Sequence, residues 1–381
     1  MIWSIYVSAD GGRNSLVYFP MSLTSKLEAR FFRNNSETFS FTDFIGPSNA
    51  LSPSAKLQQA QLFASRHTSF ISYSSEFTNL IGYRARPRLL ATSPDSLQFA
   101  HEGGAYVPET NEVWFTANQL PIQNTNVGSV NLRTNEVKQL SIQPPIVTPN
   151  GVNYFEGSVY ICSQGNKIEP GAIYAVNPRT LVSRLIVNSW FGLRLNSPND
   201  VTFTTKIGHR KYMWFTDPQV AYMQGFGSSP QLGSYVYRFD MTTSELRPVI
   251  TDLLVPNGIA FNPRETTLYV SDTAPDLPGR GTFIVYAYDL NRDGLPITRR
   301  IFSVSSAGIP DGIKVDNDER VWIGEGDGIN VRDRDGKLLG TILGRDLCQS
   351  GVISNFAIHD RTVIILAQEK VWRLNIAARV I

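Results

Sequence analysis

Four short segments of the chain place a carboxylate or amide side chain directly before an apolar strand. They are HEGGAYV (101–107), SPNDVTF (197–203), PNGIAF (256–261) and PDGIKV (310–315). Each is followed by a second strand of the type VWFTA, MWFTD, LYVSD or VWIGE. If the segments are equivalent positions of a repeat around one axis, their polar side chains converge on one point. The residues are Glu102, Asn199, Asn257 and Asp311, and four such oxygen donors predict a site for a hard divalent cation.

The repeat that would carry these residues is built from short strands. From about residue 68 onward, runs rich in Val, Ile, Tyr, Phe and Trp alternate with Gly, Pro, Asn and Asp, and long helical periodicity is absent. Six such units can be aligned. Asn199 and Asn257 are 58 residues apart and Asn257 and Asp311 are 54 apart, which is close to one four-stranded propeller blade with its loops. We therefore predict an all-β fold, a six-bladed β-propeller over residues 61–381.

Closure of the predicted propeller needs one more strand, because the last unit is one strand short. Either SFISYSS (69–75) or RPRLLAT (86–92) precedes the first unit and would supply it. Closing the ring in this way removes free sheet edges. A pair of β-sandwiches is the competing fold, but it does not explain why carboxylate and amide residues recur at one position of the repeat.

Residues 1–60 form a separate N-terminal extension. The runs SIYV (4–7) and SLVYF (15–19), with SADGGRN between them, predict a hairpin. Ser52 and Pro53 precede SAKLQQAQLFASRH, whose good helix formers predict one helix. The extension packs on the propeller or covers its mouth, and the sequence leaves both arrangements open.

Composition narrows the partners and the compartment. The 381 residues are 42% hydrophobic and 18% charged, enough for a sizeable core. A net charge of +2 without a run of Lys and Arg argues against nucleic-acid and anionic-membrane partners. The start, MIWSIYVSADGG, lacks the features of a signal peptide, and no run reaches the roughly 18 apolar residues of a membrane span, so we expect a cytoplasmic protein. Cys162 and Cys348 lack metal-site spacing and are predicted to be buried free thiols.

Several segments taken together resemble a known family. HEGGAYVPETNEVWFT, NSPNDV, MWFTDP, VYRFD and PNGIAFNP followed by LYVSDT are similar to the senescence marker protein, gluconolactonase and luciferin-regenerating enzyme superfamily, and closest to its fungal lactonohydrolases. The resemblance covers roughly residues 65–381 and implies a six-bladed propeller. It also implies one divalent cation, usually Ca²⁺ and sometimes Zn²⁺ or Mn²⁺, at the bottom of the central pocket. Its ligands would be Glu102, Asn199, Asn257 and Asp311.

The chemistry that the resemblance implies is hydrolysis of a lactone. A hard cation with few protein ligands keeps positions open, so it can polarise an ester carbonyl and lower the pKa of bound water. Glu102 and Asp311 would be the anionic ligands, and Asp311 could also accept the proton of the attacking water. Asp200 is a further catalytic candidate that either orients a ligand or caps the turn beside Asn199.

The expected substrate is a small molecule, either a lactone or a larger, hydrophobic biosynthetic intermediate. Ser197 stands where the sugar-lactonase branch of the family often has an Arg, so a bidentate partner for sugar hydroxyls is missing. Loops predicted at the mouth are apolar and aromatic, which suits a hydrophobic ligand. His101 is predicted on the pocket wall, although strand alternation would point it away from Glu102 unless the loop twists there. The mouth residues are Trp190, Phe191, Tyr222, Met223 and Phe226.

Two other functions remain open at this stage. The same propeller could host a biosynthetic cyclase or isomerase that hydrolyses nothing, such as a hetero-Diels-Alder catalyst of fungal secondary metabolism, acting by holding reactants in a reactive pose. It could also be a binding module without catalysis, because propellers host many functions. No Ser nucleophile elbow, P-loop or dinucleotide-binding motif is present to suggest another reaction class.

Overall fold

The computed structural model of the protein describes residues 15–18, 68–120, 123, 125–274, 282–305 and 307–381. Within these residues the strands form six sheets of four or more strands, plus one two-stranded ribbon. The six sheets are called blades 1 to 6 in chain order of their first inner strand. Their strands are short and antiparallel to their neighbours within the four-stranded part of each blade.

Within each blade the strands follow one another in order from the innermost to the outermost. Blade 1 contains β4 (Glu102–Val107), β5 (Glu112–Thr116), β6 (Val127–Asn131) and β7 (Val137–Gln139). Blade 2 contains β8 (Pro149–Phe155), β9 (Ser158–Ser163), β10 (Ala172–Val176) and β11 (Ser183–Val187). Blade 3 contains β14 (Val201–Thr204), β15 (Tyr212–Asp217), β16 (Tyr235–Asp240) and β17 (Leu246–Ile250), with a 3-10 helix at Ile207–His209.

The second half of the ring follows the same plan. Blade 4 contains β18 (Pro256–Phe261), β19 (Thr267–Ala274), β20 (Thr282–Leu290) and β21 (Pro296–Val304). Blade 5 contains β22 (Ile313–Val315), β23 (Val321–Glu325), β24 (Gly328–Arg332) and β25 (Leu338–Leu343). Blade 6 contains β26 (Asn355–His359), β27 (Thr362–Ala367), β28 (Lys370–Asn375) and β3 (Pro87–Thr92).

The inner strands contact one another in a closed ring. Their order is β4, β8, β14, β18, β22 and β26, and β26 contacts β4 again. The prediction of an all-β, six-bladed propeller is therefore confirmed. Closure is made by β3, which pairs with β28 as the outer strand of the last blade. Of the two candidates for this strand, the segment 86–92 is the one used, which ties the two ends of the propeller together.

The apolar core is divided into six clusters, one between each pair of neighbouring blades. Trp114, Trp214 and Trp322 are fully buried in the second strands of blades 1, 3 and 5. They come from the sequence pattern VWFTA, MWFTD and VWIGE. Because each second strand is buried on both faces, it reads as a continuous apolar run rather than an alternating one.

The segment before the propeller adds to blade 5 rather than to blade 6. The strand β2 (Thr68–Ser72) pairs antiparallel with β25, and β1 (Ser15–Tyr18) pairs in parallel with β2. A short helix, α1 (Ser75–Ile81), follows β2 and buries Phe77 and Leu80. The predicted partner strand at 4–7 and the predicted helix at 54–67 lie outside the described residues. The predicted division at residue 60 stays a prediction.

Three smaller elements complete the fold. A ribbon of β12 (Ser189–Trp190) and β13 (Leu193–Arg194) leads into blade 3, and the helix α2 (Val220–Met223) follows β15. Both cysteines are free and buried, as predicted. In the part of the chain that the structure describes, no helix has the length and hydrophobicity needed to cross a membrane.

Candidate functional site

A cavity of about 490 Å³ lies where the first residues of the inner strands meet. Each blade contributes one polar residue at the same place, and we call these places the axial positions. They hold Glu102, Asn150, Asn199, Asn257, Asp311 and Asn355 in blades 1 to 6. All but Asn355 line the cavity. The structure thus brings together the four residues that the sequence predicts to converge.

A bulge in the inner strand turns the chain at several axial positions. The ladder between the first two strands shifts between Gly103 and Ala105 in blade 1, and between Pro256 and Ile259 in blade 4. A bulge leaves residues out of the ladder and changes the direction of their side chains. In blade 4 the shift leaves Asn257 and Gly258 out of the ladder, so the bulge frees the Asn257 side chain for the cavity.

Glycine follows the axial residue where two blades come close. A Cβ added to Gly258 would lie 2.2 Å from the carbonyl oxygen of Asp311, in the next blade. Real Cβ atoms do not approach an oxygen so closely, so only glycine fits there. The dipeptide Asn257-Gly258 therefore serves packing between blades as well as presentation of the amide.

A hydroxyl group on the second strand of one blade holds the axial residue of the next. Thr216 donates to the carbonyl oxygen of Asn257 at 2.6 Å, and Ser271 donates to that of Asp311 at 2.9 Å. The same hydroxyls accept from backbone N–H groups of their own blades, those of Asp200 (3.0 Å) and Gly258 (2.7 Å). We call these contacts the hydroxyl clamps. They hold the backbone carbonyl groups of Asn257 and Asp311 in place.

A carboxylate at the end of the second strand holds the loop that leads into an axial position. Asp217 accepts from the N–H groups of Asn196 and Ser197 at 3.0 and 2.8 Å. Asp272 accepts from those of Leu254 and Val255 at 3.2 and 2.7 Å. The Asp in FTDP and in VSDT is thus a structural group beside the site rather than part of the cavity wall.

The two axial carboxylates are buried, being only 4% and 6% exposed at Glu102 and Asp311. Burial raises the pKa of Glu102 to about 7, and the hydrogen bond from Asn355 opposes this rise. Burial, followed by the charge of Glu102, raises the pKa of Asp311 well above its usual range. Both carboxylates are buried and the charge of Glu102 acts on Asp311, so a cation bound between them would stabilise their charged forms.

His101 lies beside Glu102 rather than opposite to it. Its Nε2 is 3.4 Å from Oε1 of Glu102, and its Nδ1 is 2.8 Å from Oε1 of Gln368. Strand alternation does not apply, because β4 begins at Glu102 and His101 precedes it. Burial lowers the pKa of His101, with the Asp311 carboxylate opposing this, which favours the neutral imidazole on the cavity wall.

The oxygens of the axial residues suit a hard cation. The Oδ1 atoms of Asn199 and Asp311 are buried and have no hydrogen-bond partner among the described residues. Asn257 donates through Nδ2 to Thr273, which leaves its amide oxygen for a ligand. Buried oxygens without partners are costly unless a ligand satisfies them. Among the described residues no group of three or more His, Cys, Asp or Glu could hold a metal, so the amide oxygens are essential to any such site.

Asp200 takes no part in the cavity wall. It is buried, and its Oδ1 accepts from the N–H of Val201 at 2.9 Å and its Oδ2 from that of Ile259 at 3.5 Å. These bonds cap the start of β14 and connect it to β18. Asp200 can therefore hold two axial positions in place, but its carboxylate does not face the cavity.

The aromatic candidates are placed differently from the prediction. Of the predicted mouth residues only Met223 lines the cavity, together with His101. Trp190 and Phe191 lie in the β12–β13 ribbon, outside the cavity wall, and Phe191 is 89% exposed. Tyr222, on α2, and Phe226, after it, likewise do not line the cavity. The wall is instead rich in amides, and its Gln and Asn residues outside the axial positions are Gln98, Asn118, Gln119, Gln164, Gln224 and Gln368.

One axial residue is absent from the sequence prediction. Asn150 lies in Pro149-Asn150-Gly151, the same tripeptide as Pro256-Asn257-Gly258, and it lines the cavity. This repeated Pro-Asn-Gly tripeptide is the signal by which the sequence could have identified it. The wall glutamines carry no motif and could be found only from the fold.

Comparison with known proteins gives a consistent result. A family model described as the SMP-30/Gluconolactonase/LRE-like region matches residues 100–346. A lactonohydrolase of Aspergillus oryzae, oryH, is 27% identical over 310 residues, covering 62% of this chain and 66% of that protein. A gluconolactonase of Zymomonas mobilis is 30% identical over 231 residues, covering 58% of this chain and 60% of that protein. The chain thus spans slightly less than two thirds of the length of these relatives.

Solved structures share the fold. A gluconolactonase of Xanthomonas campestris superposes with a TM-score of 0.66 at 27% identity, over 80% of this chain and 93% of that chain. Regucalcin of Agrobacterium tumefaciens, a calcium-binding protein, superposes with a TM-score of 0.56 at 16% identity, over 77% of this chain and 94% of that chain. The second likeness concerns the fold alone.

Proposed function

Since the chain belongs to the SMP-30/gluconolactonase/LRE-like family, we propose that it is a hydrolase that opens lactones with the help of a divalent cation in the axial cavity. Its relatives include proteins named lactonohydrolase and gluconolactonase. The observation that carries the proposal is the set of buried, unpartnered oxygens on the cavity wall, Oδ1 of Asn199 and Oδ1 of Asp311, beside the buried carboxylate of Glu102.

Glu102, Asn199, Asn257 and Asp311 would hold the cation. All four donor groups are oxygens, the ligand type that Ca²⁺ prefers, and no His or Cys is among them. Bound there, the ion would supply Lewis acidity, which polarises a lactone carbonyl. Two amides and two carboxylates leave the set with a formal charge that balances a divalent ion.

The side chains of the cavity would divide the remaining work. Water adds to the carbonyl carbon, the ring C–O bond breaks, and the ring oxygen receives a proton to give a hydroxy acid. We assign the acceptance of the water proton to Asp311, a buried carboxylate on the cavity wall whose second oxygen stays available when Oδ1 holds the cation. His101, whose Nδ1 donates to Gln368, has Nε2 left as an acceptor for a hydroxyl group of the substrate. Asp200 is assigned a positioning role through the backbone of β14 and β18.

The amide-rich wall changes the expected substrate. Side-chain amides both donate and accept, which suits a neutral, oxygen-rich lactone. The aromatic residues that suggested a large hydrophobic ligand lie off the cavity, so they support neither that substrate nor the cyclase alternative. No contact of the described residues favours a cyclase.

The test is hydrolysis of a panel of aliphatic, aromatic and sugar lactones. The acid released on ring opening is measured with and without a chelator. Glu102→Gln and Asp311→Asn are expected to lower kcat/KM about a hundredfold or more, corresponding to about 2.7 kcal/mol of transition-state stabilisation. The matched control is Phe191→Ala, on the exposed ribbon, which should leave the rate unchanged. A folded wild-type protein that opens no lactone in the panel would refute the proposal.

A further inference from the structure

Asn150 occupies the blade 2 equivalent of a proposed ligand position. The ladder between β8 and β9 shifts between Pro149 and Val152, as the ladder of blade 4 shifts between Pro256 and Ile259. Both bulges release the Asn of a Pro-Asn-Gly tripeptide from the ladder. The local backbone device at Asn150 is thus the one that frees Asn257.

The contacts between blades are also repeated at Asn150. Thr116 donates to the carbonyl oxygen of Asn150 at 2.7 Å, so a hydroxyl clamp holds it as Thr216 holds Asn257. A Cβ on Gly151 would lie 2.2 Å from the carbonyl oxygen of Asn199, the same clearance found between Gly258 and the next blade. The fold therefore positions Asn150 with the same contacts as Asn257.

The side chain of Asn150 is in the state expected for a ligand. Its Oδ1 is buried and has no hydrogen-bond partner among the described residues, as are the Oδ1 atoms of Asn199 and Asp311. Asn355, at the sixth axial position, shows what a structural amide looks like there. Its Nδ2 donates to Glu102 at 3.1 Å and its Oδ1 accepts from the N–H of Phe356 at 3.0 Å.

We propose that Asn150 supplies a fifth oxygen to the axial site and that this makes the site selective for Ca²⁺ over Zn²⁺. This inference rests on the proposed cation-dependent function. Calcium takes six to eight oxygen ligands in flexible geometry, whereas zinc prefers about four ligands, usually nitrogen or sulfur. Five protein oxygens fill most of a calcium shell and leave positions for water or substrate. Four would fit a smaller coordination number equally well.

The experiment measures cation binding directly, by calorimetric titration of chelator-treated full-length protein with Ca²⁺ and, separately, with Zn²⁺. Asn150→Ala is expected to weaken Ca²⁺ binding at least tenfold, since even residues that only orient a ligand change metal affinity by about 10–100-fold. Zn²⁺ binding should change less, so the Ca²⁺/Zn²⁺ affinity ratio falls. Asn150→Asp keeps an oxygen and adds a charge, so it should bind Ca²⁺ more tightly than the wild type.

The matched control is Gln164→Ala, which removes another cavity-wall amide of blade 2 that does not occupy an axial position. Its Ca²⁺ affinity should equal that of the wild type. Equal affinity of Asn150→Ala and the wild type, or equal losses in Asn150→Ala and Gln164→Ala, would overturn the inference. If Asn150→Ala does not fold by circular dichroism, Asn150→Asp decides, and unchanged or weaker binding overturns it.

Failure of this inference is distinguishable from failure of the proposed function. If the wild type binds Ca²⁺ and hydrolyses a lactone while Asn150→Ala binds equally well, only the role of Asn150 is refuted. If the wild type binds neither ion, the cation-dependent function and the role of Asn150 are refuted together.

Discussion

The hydroxyl clamp at Thr216 gives the sharpest link between packing and the site. Its hydroxyl donates to the carbonyl oxygen of Asn257 and accepts from the N–H of Asp200, and the side chain is fully buried. Thr216→Val keeps the shape but removes both hydrogen bonds. A buried backbone group that loses its partner costs about 1–3 kcal/mol, so we expect the free energy of unfolding to fall by at least about 2 kcal/mol.

The same substitution should weaken cation binding, because the Thr216 hydroxyl holds the backbone carbonyl group of Asn257 in place. Residues that orient a metal ligand typically contribute a factor of about 10–100 in affinity. We therefore expect Ca²⁺ affinity and kcat/KM both to fall within that range. Urea unfolding measures the first effect, and calorimetry with lactone hydrolysis measures the second. Thr216→Ser keeps the hydroxyl and should retain most of the cation affinity.

Thr204→Val is the matched control in the same blade. Thr204 is equally buried and its hydroxyl accepts from Nε1 of Trp214 at 3.0 Å, away from the axial positions. This variant should lose stability while binding Ca²⁺ like the wild type. If Thr216→Val loses stability but keeps wild-type affinity and turnover, the clamp is only structural and the reasoning is refuted.

Two other predictions concern packing and charge. Gly258→Ala should lower the free energy of unfolding by about 1–3 kcal/mol or more, because its Cβ would lie 2.2 Å from the carbonyl oxygen of Asp311. Urea unfolding measures this change. A variant as stable as the wild type would contradict the close approach of blades 4 and 5. Burial, with the Glu325 charge adding to it, raises the pKa of Asp327 to about 7, above the unfolded value of about 3.9. Its contribution to stability is therefore fully present below about pH 4 and lost as the pH rises through about 7. Asp327→Asn, neutral throughout, should make the free energy of unfolding less dependent on pH in that window, and a profile parallel to that of the wild type would contradict the raised pKa.

The ring of blades could be predicted because its signals are local. Each blade carries its own strand pattern and turn residues, and the axial residue precedes the strand in four segments whose spacing is regular. Counting the strands of the last unit predicted that a strand before the first unit closes the ring, but the sequence did not decide between 69–75 and 86–92. The structure uses Pro87–Thr92. Asn150 is absent from the predicted set although its tripeptide repeats that of Asn257, because the bulge in β8 interrupts the strand pattern between Pro149 and Val152.

Contacts between blades could not be predicted from the sequence. Thr216 and Ser271 look like ordinary strand residues until the register of neighbouring blades brings them to the axial carbonyls. The aromatic residues at 190 and 191 were expected at the mouth because of their apolar character. Their position depends on the short ribbon of β12 and β13, in which Trp190 pairs with Leu193. This ribbon places both aromatic residues outside the cavity wall.

The most direct test of the central claim is a titration of chelator-treated, full-length protein with Ca²⁺, in which bound ion and lactone hydrolysis are measured in the same samples. We expect one ion per chain, with activity returning in proportion to bound ion, and a loss of both in Asp311→Asn. Full hydrolysis by ion-free protein, or Ca²⁺ binding that Asp311→Asn does not weaken, would contradict it.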